Sequence, residues 1–118
     1  MTTTMQTWQL QNLERNTMYN LVVTSKAYQD IDEALNYITN ILNNKKAATE
    51  LVEEIIGCQR ILKENPFAYS KCIDKNLEER GYRRAVVKNY ILLFKIEEQK
   101  RVAILRFFHG TRNYQRML

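Results

Sequence analysis

The sequence predicts an α+β fold in which a two-helix hairpin packs on one face of a small antiparallel β-sheet. Three observations indicate it: a short β-branched and aromatic run, then two stretches with helical apolar spacing, then three strand-like runs with short connections. A chain of 118 residues has the length of one domain. The expected order is β-α-α-(β)-β-β-β, where the strand in parentheses is an optional short edge strand within residues 67–81.

The first strand is predicted at residues 19–24, which read Tyr-Asn-Leu-Val-Val-Thr and are β-branched and aromatic in character. From residue 25 to residue 42 apolar side chains recur at steps of three and four, which is the stripe of an amphipathic helix. Thr24 or Ser25 suits the N-cap, since a hydroxyl oxygen there can accept a hydrogen bond from a free backbone N–H.

A second helix is predicted from about Lys45 to Lys63, again with an apolar stripe. Asn65-Pro66 ends it, because the residue before proline is pushed out of the helical region. The link between the two helices is so short that we expect an antiparallel hairpin.

The last third of the domain is predicted to be an antiparallel meander of three strands. The first strand is Tyr82–Lys88, the second is Tyr90–Ile96, and the third runs from Arg101 to Phe108. Glu97–Lys100 forms the hairpin turn between the second and third strands. Two helices cover only one face of such a sheet, so the other face is expected to stay partly open.

The charge of the chain is concentrated near its end. The net charge is +5 overall, and residues 81–118 hold nine Lys and Arg against two acidic residues. We expect the arginines to group on the open face of the sheet and to meet a polyanionic partner, either nucleic acid or an acidic protein segment.

Other classes of protein are disfavoured. No window approaches the 18 apolar residues that a membrane span needs, and the first ten residues, MTTTMQTWQL, do not read as a secretory signal. Two cysteines and one histidine, Cys58, Cys72 and His109, lack metal-ligand spacing, so neither a metal nor another cofactor is expected. A reducing cytoplasm is the expected location.

The sequence resembles the RelE/ParE superfamily, the toxins of type II toxin–antitoxin modules. The resemblance covers residues 19–118 and rests on the order of the elements together with short motifs. These are Gly81-Tyr82-Arg83, Asn89-Tyr90-Ile91, an acidic hairpin, and the ending His109-Gly110-x-Arg112-x-Tyr114. Residues 1–18 are then expected to be an N-terminal extension outside the fold, since family members begin close to the first strand.

The resemblance implies one of two activities. RelE-like members cleave mRNA on the ribosome with the neighbouring 2′-hydroxyl as nucleophile, whereas ParE-like members poison DNA gyrase without nuclease chemistry. The RelE-like activity would assign catalytic roles to four residues: Arg83 and Arg112 on the phosphate, Tyr114 stacking on or deprotonating the substrate, and His109 as general acid or base.

Departures from the RelE-like pattern weaken that assignment. The strand before Gly-Tyr-Arg should hold a pair of lysines, but the corresponding positions are Asp74 and Asn76. His109 followed by Gly110 looks like the ParE-like branch instead. Three hypotheses stay open: a ribosome-dependent, metal-independent endoribonuclease, which the arginine positions favour slightly; a gyrase poison; and an inactive basic binding module.

The resemblance also implies the partners. A cognate antitoxin, often disordered alone, would wrap the toxin and form a hetero-oligomer with it. The other expected partner is the ribosome with its mRNA or, alternatively, DNA gyrase. No membrane partner is expected. The cations expected to contact nucleic acid or the antitoxin are Arg84, Lys88, Arg106 and Arg116.

Overall fold

The computed structural model describes residues 18–69 and 78–110. Within them, a short strand leads into two helices, and three further strands follow. The elements are β1 (Asn20–Val23), α1 (Ser25–Asn36), a π-helical turn (Tyr37–Ile41), α2 (Lys45–Glu64), a 3₁₀ turn (Pro66–Ala68), β2 (Tyr82–Val87), β3 (Tyr90–Glu97) and β4 (Arg101–His109).

The four strands form one sheet in the order β1-β4-β3-β2. The antiparallel meander of β2, β3 and β4 is confirmed, but β1 pairs with β4 in parallel, so the sheet is mixed and not wholly antiparallel as predicted. Parallel neighbours need a long crossover connection, and here both helices and two strands lie between them. In the described part of residues 67–81 no strand occurs, and the rest of that interval lies outside the described residues.

Helix α1 begins as the sequence predicts. The Thr24 hydroxyl accepts a hydrogen bond from the Ala27 backbone N–H at 3.2 Å, and it also donates to the Ile104 carbonyl of β4 at 2.9 Å. The same hydroxyl therefore caps the helix and fixes its start to the sheet. The end of the predicted helix differs, because the last turn widens into a π-helix in which the Leu42 N–H bonds to the Tyr37 carbonyl.

The core lies between the two helices and one face of the sheet. Alternate residues of β2, β3 and β4 point into it, as strand geometry requires. Its most deeply buried large side chains are Leu62, Leu92, Phe94, Val102, Ile104 and Phe107. We call this the helix face of the sheet.

The opposite face of the sheet, which we call the open face, carries a smaller apolar cluster. Ile91, Leu93 and Phe108 are buried there, and Tyr82 packs against them. Alternation along β2 places Arg84 on this face as well. As for the lipid bilayer, no described helix has the length and apolar character needed to span one.

Candidate functional site

Arg83 lies on the helix face, not on the open face where the sequence analysis expected the arginines to group. Its alternation with Ala85 and Val87, two residues of the main core, sets this direction. Its Nη1 donates a hydrogen bond of 2.8 Å to the Tyr69 carbonyl, and the guanidinium lies 5.0 Å from the centre of the Phe67 ring. Arg83 thus fixes the segment after α2 to the sheet.

His109 lies at the exposed end of β4, opposite Tyr90 of β3. The imidazole meets the Tyr90 ring edge-on at 5.5 Å, and the other neighbour of Tyr90 is the Phe107 ring, stacked at 4.9 Å. Burial, with a smaller contribution from Tyr37, raises the pKa of the Tyr90 hydroxyl, so that this group stays protonated at neutral pH.

A groove opens beside His109, between the strand ends and the π-helical turn. It has a volume of about 690 Å³, and its lining includes Glu33, Tyr37, Leu42 and Asn89. Tyr37 and Leu42 are about half exposed, at 52% and 54%, so the groove has an apolar rim. π-helical turns occur frequently at functional sites, which makes this groove a candidate for binding another molecule.

Arg83 and His109 do not converge. Arg83 pairs with Phe94 and His109 with Tyr90, so that four residues along β3 and two strand spacings separate them. At about 3.4 Å per residue and 4.8 Å per strand, their Cα atoms are roughly 17 Å apart. A base and a phosphate-binding arginine must contact the same nucleotide, and this pair cannot do so while Arg83 keeps its bond to Tyr69.

Arg106 does not belong to a solvated cationic surface, as the sequence analysis expected. Its guanidinium forms a two-point ion pair with Asp30 of α1, with Nε 2.7 Å and Nη2 3.2 Å from the carboxylate oxygens. The same carboxylate accepts the Phe107 backbone N–H at 3.0 Å. Both side chains are close to nine-tenths buried, so the pair holds α1 against β4.

Lys88 and Arg84 differ in their surroundings. Lys88 occupies the tight turn between β2 and β3 with a positive φ of 55°, and its ammonium lies 3.8 Å from the Glu50 carboxylate of α2. The Arg84 side chain has no hydrogen bond or ion pair within residues 18–69 and 78–110. Of these two cations, only Arg84 is available on the open face.

Two cations that the sequence analysis did not single out, Arg80 and Lys95, lie against the ring of Tyr82, which shares the open face with Arg84. The Arg80 guanidinium lies 4.9 Å and the Lys95 ammonium 5.7 Å from the centre of the Tyr82 ring. Arg80 also donates a hydrogen bond of 3.1 Å to the Tyr82 hydroxyl. The contact between Tyr82 and Lys95 could have been predicted from the sequence, because a two-residue turn at 88–89 places these two residues opposite each other on β2 and β3.

Cys58 and Tyr69 form the other titratable contact of interest. Burial raises the pKa of the Cys58 thiol, although a hydrogen bond with Tyr69 partly offsets this, and burial raises the pKa of the Tyr69 hydroxyl as well. A neutral, buried thiol is a poor nucleophile, so this contact is structural.

No metal-binding cluster occurs in the described ranges. Arg112, Tyr114 and Arg116 lie outside the described residues.

Comparisons with known proteins agree with this architecture. A family model described as the ParE toxin of the type II toxin-antitoxin system parDE matches residues 21–114. Among solved structures, a chain of the chromosomal ParDE system of P. aeruginosa superposes with a TM-score of 0.63 at 20% identity, covering 79% of this chain and 97% of that one.

A second solved structure is similar in fold. It is a chain of the RelBE2 toxin-antitoxin complex of Mycobacterium tuberculosis, with a TM-score of 0.53 at 21% identity. The match covers 78% of this chain and 98% of that one. No relative was found among curated proteins.

Proposed function

Because the chain belongs to the ParE toxin family of type II toxin–antitoxin systems, we propose that it inhibits growth by poisoning DNA gyrase. A cognate antitoxin neutralises it, and both act in the cytoplasm. The gyrase mechanism takes precedence over the ribosome-dependent mRNA cleavage that the arginine positions favoured.

The position of Arg83 is the observation that favours gyrase poisoning over mRNA cleavage. An RNA-cleaving toxin of this superfamily needs a guanidinium free to stabilise charge that develops on a phosphate. Here the Arg83 guanidinium bonds the Tyr69 carbonyl and lies over the Phe67 ring, and His109 is two strands away and four residues further along the sheet. A toxin that acts by binding its target needs neither group in a catalytic position.

The groove beside His109 supports binding of the antitoxin. Ile41, which precedes the groove residue Leu42 in the chain, is 71% exposed, so that several large apolar side chains in and next to the π-helical turn face solvent. A flexible antitoxin segment that folds onto the toxin would bury this apolar surface. Both of the solved structures that are similar in fold come from toxin–antitoxin systems.

The test uses induced protein in a bacterial host, followed by separate measurement of DNA breaks linked covalently to gyrase and of codon-phased cuts in mRNA. We expect the DNA breaks and no codon-phased cuts, and co-expression of the antitoxin should suppress both breaks and growth inhibition. With purified gyrase and supercoiled plasmid, linear DNA should accumulate in proportion to toxin.

A substitution distinguishes the two mechanisms further. Arg83→Gln that remains folded by circular dichroism should still produce gyrase-linked breaks, since this side chain has a structural role. Codon-phased mRNA cuts that disappear in Arg83→Gln would contradict the proposal and restore the ribonuclease. Normal growth with neither lesion would indicate an inactive binding module.

A further inference from the structure

We propose that the open face of the sheet carries a binding site for DNA phosphates, formed by Arg80, Arg84 and Lys95 around Tyr82. We call these four residues the Tyr82 cluster. The inference deepens the proposed function, since gyrase acts on DNA, but it concerns DNA binding by the toxin alone. It can therefore be tested without gyrase.

The geometry of the cluster is the first argument. The Tyr82 ring holds two cations within 6 Å of its centre, Arg80 at 4.9 Å and Lys95 at 5.7 Å. Cation–π contact with the ring and the hydrogen bond from Arg80 to the Tyr82 hydroxyl keep like charges close together that would otherwise repel. Both cations are held against the same ring, and this concentration of positive charge suits an anion with several oxygens.

The lysine is placed by the backbone beneath it. Gly81 has a φ of +83°, a conformation that residues with a Cβ rarely adopt, and a Cβ built there would lie 3.7 Å from Cε of Lys95. The Lys95 stem therefore passes over Gly81 on its way to the Tyr82 ring. Its ammonium is positioned by packing and not by a carboxylate.

The charge balance around the cluster is the second argument. No carboxylate in residues 18–69 or 78–110 forms an ion pair with Arg80, Arg84 or Lys95. Glu97, the nearest carboxylate along β3, already accepts a hydrogen bond from Arg101 at 2.8 Å. Three cations without a counterion among the described residues make a local positive potential that attracts phosphate groups and releases their counterions.

The contrast with the other basic residues makes the inference specific. Arg106 and Arg101 have carboxylate partners, Lys88 lies near Glu50, and Arg83 bonds a carbonyl on the helix face. Among the described basic residues of β2, β3 and β4, Arg84 and Lys95 are thus the two whose side chains have neither a carboxylate nor a carbonyl partner, and both lie on the open face. DNA is favoured over an acidic peptide because phosphates repeat at short, regular spacing and need only cations, whereas a peptide would also need an apolar groove.

The test is binding of a fluorescein-labelled 20-base-pair duplex to the full chain, followed by anisotropy at increasing salt. If each cation neutralises one phosphate, three contacts predict an affinity loss of about 40-fold between 50 and 200 mM salt. Lys95→Gln or Arg80→Gln should lower affinity at 50 mM salt and reduce that loss to about 12-fold, since each removes one contact.

Further variants test whether the loss of binding is specific to the Tyr82 cluster. Arg60→Gln removes an equal charge from the exposed side of α2, in the helix layer, and should leave the salt dependence unchanged. Tyr82→Phe keeps the ring and should retain most of the binding, whereas Tyr82→Leu should lose it. Circular dichroism establishes that each variant is folded.

Three outcomes would overturn the proposal. An equal effect of Arg60→Gln and Lys95→Gln would mean that only net charge matters. Tighter binding of single-stranded RNA than of duplex DNA would return the site to the ribonuclease hypothesis. Binding of an acidic antitoxin peptide, but not of DNA, at the Tyr82 cluster would assign it to the antitoxin. Absence of gyrase-linked breaks, by contrast, would refute only the proposed function.

Discussion

The ion pair between Asp30 and Arg106 makes a quantitative prediction for Asp30→Ala. The substitution removes two hydrogen bonds to the guanidinium and the acceptor of the Phe107 N–H, and it takes the carboxylate away from a largely buried cation. Removing one partner of a buried pair costs about 3–5 kcal/mol. Since about a tenth of each side chain is exposed, we expect the lower limit, about 3 kcal/mol of unfolding free energy.

The assay is urea unfolding followed by far-UV circular dichroism. With a slope of about 2 kcal/mol per molar urea, a loss of about 3 kcal/mol lowers the midpoint by about 1.5 M. Asp30→Asn should cost less, about 1.5 kcal/mol, because its amide oxygen can still accept the Phe107 N–H. Asp32→Ala, an exposed neighbour on the same helix, is the matched control and should change stability by less than about 0.5 kcal/mol.

A double-mutant cycle with Arg106→Leu isolates the pair. We expect the double variant to be more stable than the sum of the single effects predicts, by about 2 kcal/mol, since no charge is then left unpaired. A coupling energy near zero, or an Asp32→Ala effect as large as that of Asp30→Ala, would refute the reasoning.

Two further predictions concern Gly81 and Cys58. Gly81→Ala should lower the unfolding free energy by about 1 kcal/mol, because φ is +83° there. The control is Gly57→Ala, where an added Cβ meets open space, and equal melting temperatures of the two variants would contradict the prediction. The Cys58 thiol, buried and with a raised pKa, should react with iodoacetamide at pH 8 far more slowly in the native protein than in urea; equal rates would show that the thiol is exposed.

Local chemistry made the elements predictable. The Thr24 cap and the second helix, predicted from Lys45 to Lys63 and observed from Lys45 to Glu64, follow from hydroxyl capping, the apolar stripe and the proline at 66. The π-helical turn was not predictable, because the apolar spacing of Ile38, Ile41 and Leu42 fits an α-helix equally well. The parallel pairing of β1 was missed for a different reason, since strand direction depends on where distant segments meet.

The candidate site was harder to predict than the fold. The direction of Arg83 could be read from its alternation with Ala85 and Val87, once the latter are recognised as core residues. The ion pair of Arg106 could not be predicted, because its partner Asp30 is 76 residues away in sequence and reaches it only after α1 packs on β4. A basic residue in a strand-like run does not by itself indicate a solvated face.

The parallel pairing of β1 with β4 determines when the sheet of the toxin can form during synthesis of the chain. Asn20–Val23 bonds to Arg101–Ile104, so the earliest described strand completes its pairing only when the final strand is available. Loop closure over such a separation is slow compared with local helix formation. A nascent chain on the ribosome therefore lacks this four-stranded sheet until β4 has been synthesised, so there is an interval in which part of the polypeptide exists but the folded toxin does not.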